Sequence, residues 1–309
     1  MTSPPSVSRA TAISEALVGK LACVECGSSV SLPALGASDP SKVVLDCRSC
    51  SARYPVIDGI PVLLPGETTD WARLQRDLYD AVAPHYDGTI PAHVNRHYRD
   101  KRVGVVRGLA PYHGEVLDVG CGTGAFAGAL RALGYETYGV DASLGMLSEA
   151  SRDGRAEVVV GRGERLPFKR AAFDLAITIA TLHHITDPVR IAETLAEMLR
   201  VVRPGGMVIV WDHNPSNPYW PYLMKRLPQD TGEERLIPLA EVVSALEGGG
   251  GVSIRSFRSG LVPEFAPASL LAGFKLAEAI VERLPLVNVL CAHNVVIAQV
   301  PTDWPARVL

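Results

Sequence analysis

Four of the six cysteines occur as two closely spaced pairs, and this spacing can bind a metal ion. Cys23 and Cys26 form one C-x2-C pair, and Cys47 and Cys50 form a second pair after a spacer of twenty residues. Two such pairs are typical of zinc ribbons, in which four thiolates fill all positions of a tetrahedral metal. We therefore predict a structural zinc ion bound by these four cysteines.

A glycine-rich turn follows an apolar segment and precedes a helical one, as in nucleotide-binding sites. The turn is Gly120-Cys121-Gly122-Thr123-Gly124, and glycines there allow a tight turn and a close approach of a ligand to the backbone. Ala125 breaks the G-x-G-x-x-G spacing of dinucleotide sites. Asp141 lies about twenty residues further on, where an acidic side chain can accept two ribose hydroxyls. The alternative is that Asp141 caps the helix after Ser143.

Two polar pairs stand at the ends of strand candidates: His183-His184 come shortly after the fourth candidate, and Asp212-His213 stand at the end of the fifth. In an open α/β sheet, ligands bind outside the carboxyl ends of the strands, so both pairs are expected to face a substrate. A neutral imidazole can take a proton from a hydroxyl near pH 7. We predict His183 as the general base or the group that orients the acceptor, with His213 and then His184 as alternatives. The competing interpretation is that one adjacent histidine caps a helix or packs beneath the loop.

The elements that would position these residues alternate from Glu115 onward. The strand candidates are Glu115–Gly120, Glu136–Asp141, Glu157–Arg162, Phe173–Ile179, Gly206–Asp212, Val252–Ser259 and Asn294–Val300. The helix candidates are Gly124–Leu133, Leu144–Arg152, Pro188–Val201 and Leu239–Glu247, and a helical insert, Pro267–Arg283, precedes the last strand. This alternation predicts an α/β fold with a doubly wound, mostly parallel, seven-stranded sheet. The apolar residues of the insert are expected to form a wall over the acceptor.

Changes in composition divide the chain into four expected parts. These are an N-terminal tail at 1–20 with a short helix near Thr11–Lys20, a zinc-ribbon module at 21–66, a helical cap or linker at 67–114, and the catalytic domain at 115–303. Within the linker, helices are expected at Trp71–Val82 and Asp100–Leu109.

The overall composition is that of a folded protein, with 47% hydrophobic and 20% charged residues. A net charge of −3 gives no electrostatic reason to bind nucleic acid. No apolar run reaches the ~20 residues of a transmembrane helix. The first ten residues lack the apolar centre of a signal peptide, so we expect a cytoplasmic protein.

Together these motifs resemble the class I S-adenosylmethionine-dependent methyltransferases, and within them the ubiquinone/menaquinone-biosynthesis type. The resemblance extends from Leu78 to about Val300. Besides the glycine turn, it is carried by the runs Tyr138–Ser143, Gly163–Phe168, Phe173-Asp174, Leu182–Pro188 and Leu199–Gly206. It implies methyl transfer from S-adenosylmethionine.

The resemblance also implies which residues contact this cofactor. The methionine portion would be held by Asp118, Gly120, Cys121, Gly122 and Gly124. The ribose would be held by Asp141 and Ala142, and the adenine by Gly163 and Glu164. Ile179 and Ala180 would lie beneath the cofactor, and Tyr79 and Tyr86 would close over it. One position departs from the family pattern. Arg162 stands where many relatives have an aspartate that contacts the adenine amino group. Glu164 or the main chain is therefore expected to make that contact.

The segment Ala52–Pro65 resembles the small zinc-ribbon subunit that activates several tRNA, rRNA and translation-factor methyltransferases. That subunit stabilises its partner by pairing and packing against it, so fusion implies the same support within one chain. The resemblance favours a macromolecular acceptor, whereas the charge of residues 21–65 argues against one. This segment has three basic residues (Lys42, Arg48, Arg53) and four acidic ones (Glu25, Asp39, Asp46, Asp58).

Three functions are consistent with these patterns. The leading hypothesis is methylation of a small-molecule or lipid-like acceptor at a hydroxyl. The second is RNA or protein methylation with the ribbon binding the macromolecule, which a basic stripe reaching Arg96–Arg107 would favour. The third is a cofactor-binding protein without turnover, which would have a pocket closed at the methyl group.

Overall fold

The computed structural model describes residues 13–32, 43–66, 69–225, 230–231 and 233–304. The strands are β1 Val30–Ser31, β2 Val44–Cys47, β3 Arg53–Ile57, β4 Ile60–Pro61, β5 Glu115–Val119, β6 Glu136–Asp141, β7 Glu157–Val160, β8 Phe173–Ile179, β9 Val202–His213, β10 Val252–Ser259 and β11 His293–Gln299. The α-helices are α1 Glu15–Lys20, α2 Asp70–Val82, α3 Ala92–Arg107, α4 Ala125–Arg131, α5 Leu144–Arg152, α6 Pro188–Val201, α7 Trp220–Leu223, α8 Leu239–Gly248 and α9 Leu271–Val281. None of the helices in these ranges combines the length and apolarity needed to cross a bilayer.

The main sheet has seven strands in the order β10-β11-β9-β8-β5-β6-β7. Strand β11 runs antiparallel to both of its neighbours, while the pairs from β9 to β7 are parallel. The predicted doubly wound, mostly parallel sheet is therefore confirmed. This order sets β8 between β9 and β5, so the ends of these three strands meet at one edge.

Successive residues of the central strands face opposite sides of the sheet, as a pleated strand requires. Leu117 belongs to the core cluster that includes residues of α6 and α8, whereas Val116 belongs to the cluster that includes residues of α3 and α4. Because both sides are covered by helices, the strands are apolar at nearly every position. Helices α6 and α3 therefore lie on opposite faces of the sheet.

The N-terminal module is a four-stranded antiparallel sheet in the order β1-β2-β3-β4, and it attaches to the edge of the main sheet. Val62 pairs in parallel with Val160, and the Leu63 amide donates to the Val160 carbonyl at 2.8 Å. Leu21 makes an antiparallel bridge with Phe168. Side chains of the module belong to the same apolar core as α6, so the module is packed into the catalytic domain.

Several predicted bounds are shifted by one or two residues, and the predicted starts of α3 and β9 were wrong by more. Helix α3 begins at Ala92 rather than Asp100. Its first two turns are mostly polar in sequence, so they show no apolar periodicity, yet Val94, His97 and Tyr98 are buried in the fold. Strand β9 begins at Val202 rather than Gly206. For the helix predicted near Thr11–Lys20, α1 covers Glu15–Lys20, and residues 11 and 12 lie outside the described residues.

Candidate active site

The glycine turn joins β5 to α4 in a conformation that only glycine fits. Gly120 has φ +74°, and a Cβ there would lie 2.3 Å from the Thr181 side chain. The amides of Gly120 and Cys121 both donate to the Val140 carbonyl, at 2.8 and 3.2 Å. The turn is thereby held against the end of β6, where Asp141 lies.

Asp141 is fixed by the turn and keeps room for further hydrogen bonds. Its Oδ2 accepts from the Gly122 amide and its Oδ1 from the Ser143 amide, both at 2.9 Å. Each carboxylate oxygen has a second lone pair, so two ribose hydroxyls can still donate to it. The cap of α5 is Ser143, whose Oγ accepts from the Met146 amide at 3.0 Å. The competing role of Asp141 as helix cap is therefore filled by another residue.

Asp118 is a buried carboxylate that has no hydrogen bond or ion pair with the protein residues described. Burial raises its pKa to about 7, with the charge of Asp141 adding to this and Arg102 opposing it. A buried carboxylate in this state favours an approaching cation. The methionine portion of S-adenosylmethionine, which is predicted to lie beside Asp118, carries a cationic amino group, so the residues present fit this cofactor.

The segment between α2 and α3 covers the turn and is tied to it. Tyr79 of α2 and Tyr86 of the following 3-10 turn, Ala83–Gly88, have ring centroids 6.1 Å apart. Asp87 accepts a hydrogen bond from Thr123 Oγ1 at 2.5 Å and forms an ion pair with Arg155 at 2.6 Å. Both tyrosines line the same cavity as the glycine turn.

The side of the cavity predicted to hold the adenine contains Glu164 and two arginines. The Glu164 carboxylate lies 3.7 Å from Arg162 and 3.5 Å from Arg190. Arg162, which replaces the family's aspartate, is buried and lines the cavity. Across the site, Ala180 has φ +50°, a conformation that is costly for a residue with a Cβ. Such backbone strain is concentrated at functional sites.

His183 forms a hydrogen-bonded pair with Asp212 across β8 and β9. The His183 Nδ1 to Asp212 Oδ1 distance is 2.8 Å, and the other oxygen of Asp212 accepts from the Leu182 amide at 2.8 Å. His213 Nδ1 lies 3.0 Å from His183 Nδ1 and 3.1 Å from Asp212 Oδ1. Since an ionised carboxylate can only accept, His183 Nδ1 is the donor in this pair and Nε2 remains to take up a proton.

The three histidines differ in their electrostatic surroundings. Burial opposes a charge on His183, but the Asp212 carboxylate outweighs it and raises the pKa of His183 above 6.5. Burial and the neighbouring His183 lower the pKa of His213 to about 4. The pKa of His184 is lowered well below 6.5 by burial, and its Nε2 lies 2.8 Å from the Tyr79 hydroxyl. Among the three, only His183 has the raised pKa that suits a proton acceptor near neutral pH.

One cavity of about 1450 Å³ joins these groups. It is lined by all three histidines and by every predicted cofactor residue except Gly124, which instead packs closely against Ala150. Trp220 lines the cavity, while the insert Pro267–Arg283 does not, so the expectation that the insert forms a wall over the acceptor was wrong. Among the lining residues that sequence reasoning missed are three titratable ones from separate parts of the chain: Asp230, Glu264 and His293.

The basic stretch of α3 is divided between the cavity and the protein interior. Arg96, Arg99 and Arg102 line the cavity. Lys101 instead pairs with Glu278 at 2.6 Å and with Glu282. The Arg102 guanidinium lies 5.8 Å from the Tyr98 ring centroid and 5.7 Å from that of Trp211, and it has no hydrogen bond or ion pair with the described residues. The stretch therefore presents three arginines toward the cavity.

The four N-terminal cysteines lie together, with all four sulfurs within 4.8 Å of one another. The Sγ atoms of Cys23 and Cys50 are 3.7 Å apart, and those of Cys26 and Cys47 are 3.5 Å apart. A tetrahedral zinc ion with Zn–S bonds of ~2.3 Å requires S–S distances of about 3.8 Å. The sulfur arrangement therefore suits a tetracoordinate metal.

Comparison with known protein families identifies a methyltransferase domain over residues 117–210. Demethylmenaquinone methyltransferase of Renibacterium salmoninarum is 35% identical over 178 residues, which cover 54% of this chain and 73% of that enzyme. A tRNA (carboxymethyluridine(34)-5-O)-methyltransferase of Arabidopsis thaliana is 33% identical over 133 residues. That match covers 43% of this chain and only 31% of the plant enzyme.

Two solved methyltransferase structures have the same fold as this chain. A SAM-dependent methyltransferase of Thermotoga maritima aligns with a TM-score of 0.54 at 19% identity, over 73% of this chain and 99% of that chain. A chain from the complex between the Haloferax volcanii Trm112 methyltransferase activator and the putative methyltransferase aligns with a TM-score of 0.51 at 21% identity. This second match covers 72% of this chain and 97% of that one. At these identities the matches establish the fold.

Proposed function

We propose that this chain, which belongs to the class I S-adenosylmethionine-dependent methyltransferases, transfers the methyl group to a hydroxyl of a small or lipid-like acceptor. The observation that carries the proposal is the size and lining of the cavity. Its volume of about 1450 Å³ exceeds the roughly 300–1,000 Å³ of a pocket for one drug-sized ligand. It therefore has room for a second small molecule beside the cofactor, next to His183.

The cofactor would be held by Asp141 at the ribose, by Asp118 and the glycine turn at the methionine portion, and by the Glu164 side of the cavity at the adenine. When bound, it supplies an electrophilic methyl group. His183 would accept the acceptor's hydroxyl proton at Nε2, while Asp212 holds the ring in the required tautomer and stabilises the resulting imidazolium. His213, which borders the pair, and His184, held by Tyr79, would orient the acceptor.

Two observations support a small aromatic or lipid-like acceptor. The cavity beside His183 is bounded by Trp220 and His293, whose rings lie 3.6 and 5.6 Å from that of His213 by centroid distance. Aromatic rings of this kind stack on flat apolar ligands. The related enzyme of Renibacterium salmoninarum is named a demethylmenaquinone methyltransferase.

The proposal is tested by transfer of a labelled methyl group from S-adenosylmethionine to host lipid extracts, small-molecule extracts and RNA in parallel. We expect label in an organic-soluble or small-molecule product, and none in RNA. Product analysis should find the new methyl group on oxygen. Label confined to RNA or protein would contradict the proposed acceptor class while leaving the methyltransferase activity intact.

RNA methylation is a second candidate because one relative is named a tRNA methyltransferase. The arginines at the cavity, Arg96 and Arg99, could contact phosphates. The ribbon contributes little positive charge, because Arg53 is paired with Asp46 at 3.0 Å. The RNA arm of the same assay decides between the two acceptor classes.

We also propose that Cys23, Cys26, Cys47 and Cys50 bind a structural zinc ion. Four thiolates leave no open position, so such a metal would stabilise the fold rather than act on substrate. The stabilisation would extend beyond the module, because module residues such as Leu21, Leu45 and Tyr54 are buried in the core cluster that contains α6.

Replacing Cys47 by serine is expected to abolish zinc binding and to lower the thermal midpoint of the whole protein, since structural zinc contributes folding free energy directly. Elemental analysis and thermal unfolding measure the two effects. Cys291→Ser is the matched control, because Cys291 is a buried cysteine outside the cluster and its loss should leave the zinc content unchanged. Purified wild-type protein that is stable and free of metal would rule out the zinc proposal.

A further inference from the structure

The segment from Phe265 to Leu290, between β10 and β11, exposes an unusual amount of apolar side chain. On α9, Leu276 and Ile280 are four residues apart on the outward side and are 66% and 52% exposed. Leu286, in the loop after α9, is 90% exposed. We call the following residues the α9 surface: Leu270, Leu276, Ile280, Leu284, Leu286 and Leu290. Exposed apolar side chains that lie together in this way favour an interaction site.

The inner side of α9 is occupied, so the helix cannot turn its apolar side inward. Leu271 and Phe274 pack against a small core cluster that includes Val94 and Tyr98 of α3. Glu278 is 3% exposed and accepts hydrogen bonds from His97 and from the Leu261 amide, at 2.8 and 2.7 Å. The outward leucines are therefore a fixed feature of the folded chain.

The charges of this segment are sorted by sign. Its four charged residues are Lys275, Glu278, Glu282 and Arg283. The two acids point into the protein, where Glu278 binds Lys101 and Glu282 accepts from Ser259 Oγ at 2.9 Å. The two cations, Lys275 and Arg283, are exposed beside the leucines. An apolar helix face whose segment contributes only cations as exposed charges suits the headgroups and acyl boundary of an anionic lipid layer.

The chain that leads into the α9 surface starts next to the cavity. Glu264 lines the cavity, and the next residue, Phe265, is 69% exposed. The Phe265 ring lies 6.3 Å from that of Tyr219, which lies 5.4 Å from the ring of Trp220 in the cavity wall. A lipid-like molecule leaving a bilayer at this surface would meet aromatic side chains on its way to His183.

We propose that the α9 surface docks this protein on an anionic lipid membrane, from which the acceptor enters the cavity. The docking step rests on the apolar surface and its cations, and the entry of the acceptor rests on the function proposed above. The two cations favour a membrane over a second copy of the chain as the partner of this surface. Two copies packed through it would bring Lys275 and Arg283 of each near one another, and these like charges would repel.

Co-sedimentation of the full chain with vesicles tests the docking. We expect binding to vesicles of phosphatidylcholine with phosphatidylglycerol, weaker binding to phosphatidylcholine alone, and loss of the difference in high salt. Leu276→Glu and Leu286→Glu should each reduce the partition coefficient about tenfold, because each removes a leucine from the acyl boundary. Lys275→Gln and Arg283→Gln should each cost about fivefold on the anionic vesicles.

The matched control is Val189→Glu, at a valine that is 63% exposed on α6, on the other face of the sheet. It should bind vesicles as the wild type does. Cofactor binding by each variant shows that it is folded. Wild-type partition in Leu276→Glu, or no partition of the wild type onto either vesicle, would overturn the proposal. The proposal would also fail if sedimentation velocity showed a dimer of the wild type that Leu276→Glu dissociates. That result would assign the surface to contact with a second copy.

The outcome is separable from that of the proposed function. Methyl transfer to a water-soluble acceptor should be unchanged in Leu276→Glu, because the residue lies outside the cavity lining. Transfer to the same acceptor type embedded in vesicles should fall with the loss of binding. Failure of all methyl transfer with intact vesicle binding would contradict the proposed acceptor and leave the docking in place.

Discussion

Replacing His183 by alanine is expected to lower the rate of methyl transfer ~10²–10⁴-fold, the range for loss of a general base. The expectation rests on its hydrogen bond of 2.8 Å to Asp212 and on its place in the cavity wall. Cofactor affinity should stay close to that of the wild type, because the predicted ribose and methionine contacts come from other residues. Single-turnover transfer at saturating cofactor measures the chemical step separately from product release.

The control for this variant is His85→Ala, at an exposed histidine in the turn over the site that does not line the cavity. It should retain the wild-type rate. His213→Ala should cost less than His183→Ala, because a pKa of about 4 makes His213 a poor proton acceptor. A wild-type rate in His183→Ala would assign the rate acceleration to alignment of the reactants alone.

The pH dependence of the rate of methyl transfer should reflect the protonation of His183 beside Asp212. A base acts in its unprotonated form, so the rate should rise as pH increases through the pKa of His183, which Asp212 raises above 6.5. Asp212→Asn removes the carboxylate that stabilises the imidazolium, while burial still disfavours the charge. Its acid limb should therefore move to lower pH, with a lower maximal rate. An unchanged limb would show that another group titrates.

Replacing Asp141 by alanine is expected to weaken binding of S-adenosylmethionine and of its demethylated product by roughly 10²-fold or more, since two hydrogen bonds to a charged group are lost. In the structure the carboxylate already accepts the Gly122 and Ser143 amides, so its removal also frees the glycine turn. Isothermal titration calorimetry measures the affinity, and Asp141→Asn keeps the shape while removing the charge.

Asp303→Ala, at an exposed aspartate near the end of the described chain, is the matched control and should bind the cofactor normally. Thermal unfolding without ligand separates a weakened site from a weakened fold. Equal affinity in Asp141→Ala and the wild type would exclude Asp141 from the ribose site.

Local sequence was enough to identify the features that depend on neighbouring residues. The cysteine spacing indicates a metal cluster because a C-x2-C knuckle is itself a short turn, and the sulfurs do converge. The glycine turn is readable because Gly120 requires a positive φ that few other residues tolerate. The sheet followed from apolar runs that alternate with helical periodicity, and β6, β8, β10, α5 and α6 have the predicted bounds.

Which distant residues act together depends on the folded chain. Asp212 and His183 are 29 residues apart and meet because β9 is the neighbour of β8, and hydrophobic periodicity does not specify strand order. The fold likewise decides which of the many polar residues of α3 face the cavity, and Arg102 is one of them. Helix α9 shows the limit most clearly. Its sequence indicated an apolar wall over the acceptor, but its inner side was already filled by contacts with α3. Which side of an apolar helix stays exposed depends on the surface that it packs against, and that surface exists only in the folded chain.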